Sequence, residues 1–68
     1  MKSLKNKVYE YIKNELKEPI TVRQLAKRIG ISELTALKWV DILELEGKIK
    51  VQKIGGLKIV HPIKEGEN

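Results

Sequence analysis

The sequence predicts an α+β domain, mostly helical, in which three helices are followed by a C-terminal two-stranded β-hairpin. Three observations lead there. Apolar residues recur at helical steps near the N-terminus, two cap-and-stop signals divide the middle of the chain into two further helices, and two short strand-like runs flank Gly55 and Gly56. With 68 residues the chain has room for one core, and residues 1–62 are expected to form the domain, with 63–68 as a frayed tail.

From Leu4 to Leu16, the residues Leu4, Val8, Tyr11, Ile12 and Leu16 recur at steps of three and four, which places them on one helical face. Ser3 is positioned to cap that helix. Lys17, Glu18 and Pro19 end it, because the residue before a proline is pushed out of the helical region, and Ile20 is left extended. Thr21 to Gln24 reads as a capping box, in which the threonine hydroxyl takes the amide three residues on and the glutamine reaches back. Val22, Leu25, Ala26 and Ile29 then form the buried stripe of a second helix, closed by Gly30 in a left-handed conformation with Ile31 packing behind it. Ser32 caps a third helix running to about Glu46 and stopped by Gly47, with Ala36, Val40 and Leu43 as its core stripe and Trp39 at the edge.

Beyond Gly47, KIKVQKIGGLKIVHP has strand character on both sides of a Gly-Gly turn. A two-residue turn pairs Ile54 with Leu57, Lys53 with Lys58, Gln52 with Ile59 and Val51 with Val60. Ile49, Val51 and Val60 then share one face, and Ile54, Leu57 and Ile59 the other.

Composition narrows function. There is no Cys and one His, so a thiolate zinc site, a disulfide framework and thiol catalysis are excluded. His61 has no plausible ligand partner, and the carboxylates lack the second acid or nucleophile that acid–base chemistry needs. Neither an enzyme, a cofactor nor a small-molecule substrate is expected. No apolar run approaches the roughly 18 residues of a membrane span, and the N-terminus interleaves charge with apolar residues, unlike a signal peptide. A cytoplasmic protein without a membrane partner is expected. The net charge of +5 is uneven, at +2 over residues 1–18, +3 over 19–31, −3 over 32–46 and +3 over 47–68.

The stretch VRQLAKRIGISELTALKWV resembles the helix-turn-helix of bacterial and archaeal transcription regulators. Ala26 falls where that motif wants a small residue, Gly30 where it wants its turn, and Leu25, Ile29, Ile31, Ala36 and Trp39 at its apolar positions. Downstream, SELTALKWVDILELEGKI is similar to the winged-helix pattern of a third helix, an acidic turn, a glycine and a returning strand. The resemblance spans Leu4 to Val60. It implies double-stranded DNA as the partner, with the third helix in the major groove. On that reading Ser32, Glu33, Leu34, Leu37, Lys38 and Asp41 face bases, Thr21, Arg23, Lys27 and Arg28 flank the phosphates, and Lys53 and Lys58 sit near the tip of the wing.

Two readings of the third helix stay open. Direct readout relies on Arg, Lys, Asn or Gln, and only Lys38 among its residues can reach a base edge in that way. Acidic side chains there repel phosphate. A helix apolar almost all round is more often buried, so the alternative is a protein-docking face of Leu34, Leu37, Ile42 and Leu45, serving a homodimer or another protein partner. The first reading binds duplex DNA, as a dimer, mainly through phosphates and with modest sequence preference, in transcription regulation.

Overall fold

The computed structural model describes residues 3–63. Helix α1 (Leu4–Asn14) begins at Ser3, whose Oγ accepts the Asn6 amide at 3.2 Å, and it buries Val8 and Ile12. It stops short of Leu16, the last residue of the apolar spacing. Leu16 is buried all the same, carried into the core by the segment that follows.

Pro19 keeps the helix from continuing, and the extended backbone that follows it becomes a strand. β1 (Ile20–Thr21) pairs antiparallel with β3 (Leu57–Val60), Ile20 opposite Val60 and Thr21 opposite Ile59, while β2 (Val51–Ile54) pairs with β3 on the other side. The sheet therefore has three strands, ordered β1-β3-β2, in place of the two-stranded hairpin expected from the sequence. Two residues are too few for a period-2 pattern to register, which is why the strand escapes the sequence. Its pairing leaves β2 on an open edge and makes β3 central. The hairpin register is the expected one throughout, from Val51 opposite Val60 to Ile54 opposite Leu57. Gly55 supplies its turn with φ of +58°, a conformation that side chains with a Cβ rarely adopt.

Helix α2 (Val22–Ile29) carries the full capping box: Thr21 Oγ1 accepts the Gln24 amide at 3.1 Å, and Gln24 Oε1 accepts the Thr21 amide at 3.0 Å. Gly30, at φ +85°, closes it, and the amides of Gly30 and Ile31 both donate to the Ala26 carbonyl. Helix α3 (Glu33–Leu45) starts at once from the Ser32 cap, where Ser32 Oγ accepts the Thr35 amide at 3.2 Å. The tight corner between the two helices follows from this cap-to-cap spacing.

The core joins every element. Val8, Ile12 and Leu16 meet Val22, Leu25 and Ala26 of α2, Ala36, Val40 and Leu43 of α3, and Ile20, Ile49 and Val60 of the sheet region. Among the described residues no polar or charged residue is buried, and no buried side-chain nitrogen or oxygen lacks a hydrogen-bond partner. Ile63 packs partly against this core, while residues 64–68 of the expected frayed tail lie outside the described residues. Among the described residues no helix is long and apolar enough to cross a membrane.

Candidate nucleic-acid interface

Three cations are set by the one-sidedness of α2. With Val22, Leu25 and Ala26 turned inward, Arg23, Lys27 and Arg28 are all exposed, and Arg23 and Lys27 lie one turn apart on the same face. No ion pair engages any of the three among the described residues. Lys27 and Arg28 in the last turn also complement the negative end of the helix dipole, which is reason enough for a cation there without any ligand. Arg23, in the first turn, has no such reason. Thr21, expected to flank phosphate, has its hydroxyl taken up by Gln24, which it bonds both through the amide and through Oε1 at 3.3 Å.

The outward side of α3 is arranged differently. Leu34, Lys38, Asp41 and Leu45 follow each other at steps of four, three and four, so they line one face of the helix. At that face the residues divide. Leu34 is 80% exposed and Leu45 is 87% exposed, but their positions are separated by about 16 Å along the helix axis. Leu37, expected beside Leu34 on the outward side, packs partly against the core. Ile42 is half-buried. Of the four residues of the docking alternative, Leu34 and Leu45 are thus fully outward and Leu37 and Ile42 only partly so.

The polar residues of this face are already engaged. The Lys38 ammonium lies 4.8 Å from the centre of the Trp39 ring, and Ser32 donates to Thr35 Oγ1 at 2.8 Å besides capping the helix. Glu33 is exposed in the first turn, where the helix dipole favours a carboxylate. The Asp41 carboxylate accepts from Lys58 Nζ of β3 at 2.7 Å. Two residues assigned separate roles by the sequence, one facing bases and one facing phosphate, therefore hold each other.

This ion pair resolves a conflict visible in the strands. Lys53 lies directly opposite Lys58, and like charges across a ladder are unfavourable unless an anion intervenes. Asp41 supplies an anion to one of the two, Lys58. Lys53 remains exposed, without an ion pair among the described residues. At the tip beyond it, Ile54 and Leu57 face each other, 54% and 57% exposed.

Searches against family models, curated proteins and solved structures return no match. What the surface can do therefore rests on its own chemistry.

Elsewhere some cations are tied down, while Lys7, Lys17 and Lys50 are exposed without an ion pair among the described residues. Lys5 Nζ lies 2.6 Å from Glu46 Oε2, joining the start of α1 to the end of α3, and it holds the Glu46 carboxyl below its ordinary value, helped by Lys48 at 3.7 Å. Lys48 also lies 5.7 Å from the centre of the Tyr9 ring. A groove beside β2 mixes Lys17, Lys48 and Lys50 with Glu18 and Glu44, so it is not uniformly positive. At its edge His61 Nε2 shares a hydrogen bond with Gln52 Oε1 at 3.1 Å. Neither Lys5–Glu46 nor Asp41–Lys58 leaves a signal in the sequence, because the partners are 41 and 17 residues apart.

Proposed function

We propose that the chain is a small winged helix-turn-helix protein that binds double-stranded DNA mainly through its phosphates, in a cytoplasmic and regulatory role in transcription. The observation that carries this reading is the placement of exposed, unpaired cations. Arg23, Lys27 and Arg28 on α2 and Lys53 on the hairpin have no carboxylate partner among the described residues, whereas Lys5 and Lys58 do. An unpaired cation on a rigid element keeps its full attraction for a polyanion and releases a condensed counterion on contact. Two further features support it. The short α2–α3 corner at Gly30 and the hairpin bound back to α3 by Lys58 are what a wing beside a reading helix requires.

Base readout through α3 contributes little in this proposal. Lys38 stacks on Trp39, Asp41 is bound to Lys58, and Leu34 offers only an apolar contact such as a thymine methyl can take. Binding is accordingly phosphate-driven with modest sequence preference. Anisotropy titration of a labelled mixed-sequence duplex at several salt concentrations tests it: affinity falls steeply with salt if the reading is right. Affinity that is absent at low salt, or indifferent to salt, rejects it.

The exposure of Leu34 and Leu45 favours a second reading, in which α3 docks a protein, either a second copy or another chain. Sedimentation of the parent beside a Leu34→Gln, Leu45→Gln variant separates the two. A parent that self-associates and a variant that does not would support docking, and a monomeric parent with salt-dependent duplex binding would support DNA.

A further inference from the structure

Asp41 stands where a phosphate-binding surface should not have a carboxylate. It lies on the outward face of α3 with Leu34, Lys38 and Leu45, and it holds Lys58 Nζ at 2.7 Å. Both side chains keep contact with water, at 46% exposure for Asp41 and 29% for Lys58, so the pair is open to competition from ions in solution. The groups around it are cationic. Lys53 faces Lys58 across the ladder, and Lys38 lies one turn before Asp41 on α3. Between Gly47 and Ile63 the chain carries four lysines and no carboxylate, so Asp41 is an anion that the hairpin borrows from a different element.

We infer that Asp41 is a specificity-determining residue that occupies Lys58 in place of phosphate and thereby suppresses weak, non-specific binding. This rests on the DNA reading above. A lone phosphate or a sparsely charged polymer gains too little by displacing a carboxylate already in place. A mixed-sequence duplex, with one charge for about every 1.7 Å of its axis, is held by the unpaired cations, while Lys58 stays on Asp41 and adds no released counterion of its own. Displacement also leaves the Asp41 carboxylate beside the phosphate that displaced it, so the residue opposes binding twice, by withholding a cation and then by repulsion. Lys58 is thus withheld from phosphate for as long as the Asp41 charge is in place.

Five chains decide it: the parent, Asp41→Asn, Asp41→Glu, Lys58→Met and the double Asp41→Asn, Lys58→Met variant. Each is titrated with a mixed-sequence duplex from low to physiological salt, after circular dichroism confirms folding. Asp41→Ala replaces Asp41→Asn if the latter is unfolded. Asp41→Asn is expected to bind roughly fivefold more tightly at low salt, with a salt slope steeper by about 0.9, the increment for one further neutralised phosphate. Asp41→Glu should return both to near the parent, because it restores the charge. In the double variant the gain in slope should vanish, since no lysine is left to be released. An Asp41→Asn slope equal to the parent's overturns the inference, as does a double variant that keeps the whole gain, which would reduce the effect to a general change in net charge. If the parent binds duplex and Asp41→Asn merely matches it, the DNA reading stands and only the role of Asp41 falls. If neither binds at low salt, both fall.

Discussion

Helices α2 and α3 each turn three residues fully into the core and yet leave the molecule with opposite surfaces. In α2 the positions outside Val22, Leu25, Ala26 and the half-buried Ile29 are Arg23, Gln24, Lys27 and Arg28, polar throughout and net basic. In α3 the positions outside Ala36, Val40 and Leu43 include Leu34, Leu37, Trp39, Ile42 and Leu45 together with Glu33, Asp41 and Glu44. One helix is complete once the core has formed. The other carries more apolar surface than the core can use, and its acidic groups are in part matched by lysines from elsewhere, Lys58 on Asp41 and Lys5 on the Glu46 cap. A core stripe and a functional face are therefore separate readings of one helix, and excess outside the stripe is where function has to be sought.

The largest effect lies inside α3. Leu43 is 1% exposed and Leu45 is 87% exposed, although they stand close together on the same element. Leu43→Ala should cost about 2 to 5 kcal/mol, whereas Leu45→Ala should stay within about 0.5 kcal/mol. Urea unfolding of both variants measures the difference. Equal losses would mean that Leu45 is covered, by a second copy if the loss also depends on protein concentration.

Next in size is the seam where the two helices meet. Ala26 is buried on α2, and a leucine there would have to push α3 away. Ala26→Leu should destabilise by about 1 to 3 kcal/mol. At roughly 4 to 8 °C of midpoint per kcal/mol for a chain of this size, a thermal scan should register the change plainly. A midpoint within about 2 °C of the parent would show that the α2–α3 crossing is looser than the packing implies.

The surface difference shows in binding rather than in stability. Arg23→Ala with Lys27→Ala should leave the fold intact, because both side chains are exposed, and should flatten the salt slope of duplex binding by about 0.9 for each phosphate no longer neutralised. Leu34→Gln on α3 should leave the slope unchanged. A slope that responds to Leu34 and ignores Arg23 and Lys27 would reverse the assignment of the two faces.

The smallest effect concerns the end of α3. Lys5 lowers the pKa of Glu46 in the folded state, so the folded chain binds fewer protons than the unfolded chain as the group titrates. The stabilisation is therefore present above the ordinary glutamate value and is lost as pH falls through the lowered one. Comparison of thermal midpoints for the parent and Glu46→Gln should show a modest advantage for the parent near neutral pH that disappears in acid. An advantage that grows in acid would contradict the sign.

Local features were legible in the sequence because they depend on neighbours in the chain. The Ser3, Thr21 and Ser32 caps, the left-handed Gly30, the core stripes of α2 and α3 and the hairpin register each rest on side chains or backbone groups a few residues apart, where geometry leaves little choice. Tertiary structure alone decided the rest. Ile20 and Thr21 became a strand only because β3 offered them an edge, since two residues cannot hold a strand by themselves. Leu37 turned partly onto the core although its helical position serves an outward face almost as well, a choice that depends on how α3 sits against its neighbours. The site was the least legible part for the same reason. Whether Asp41 and Lys58 are free or bound to each other depends on where the hairpin lands relative to α3, and no local spacing encodes a contact between groups brought together only by folding.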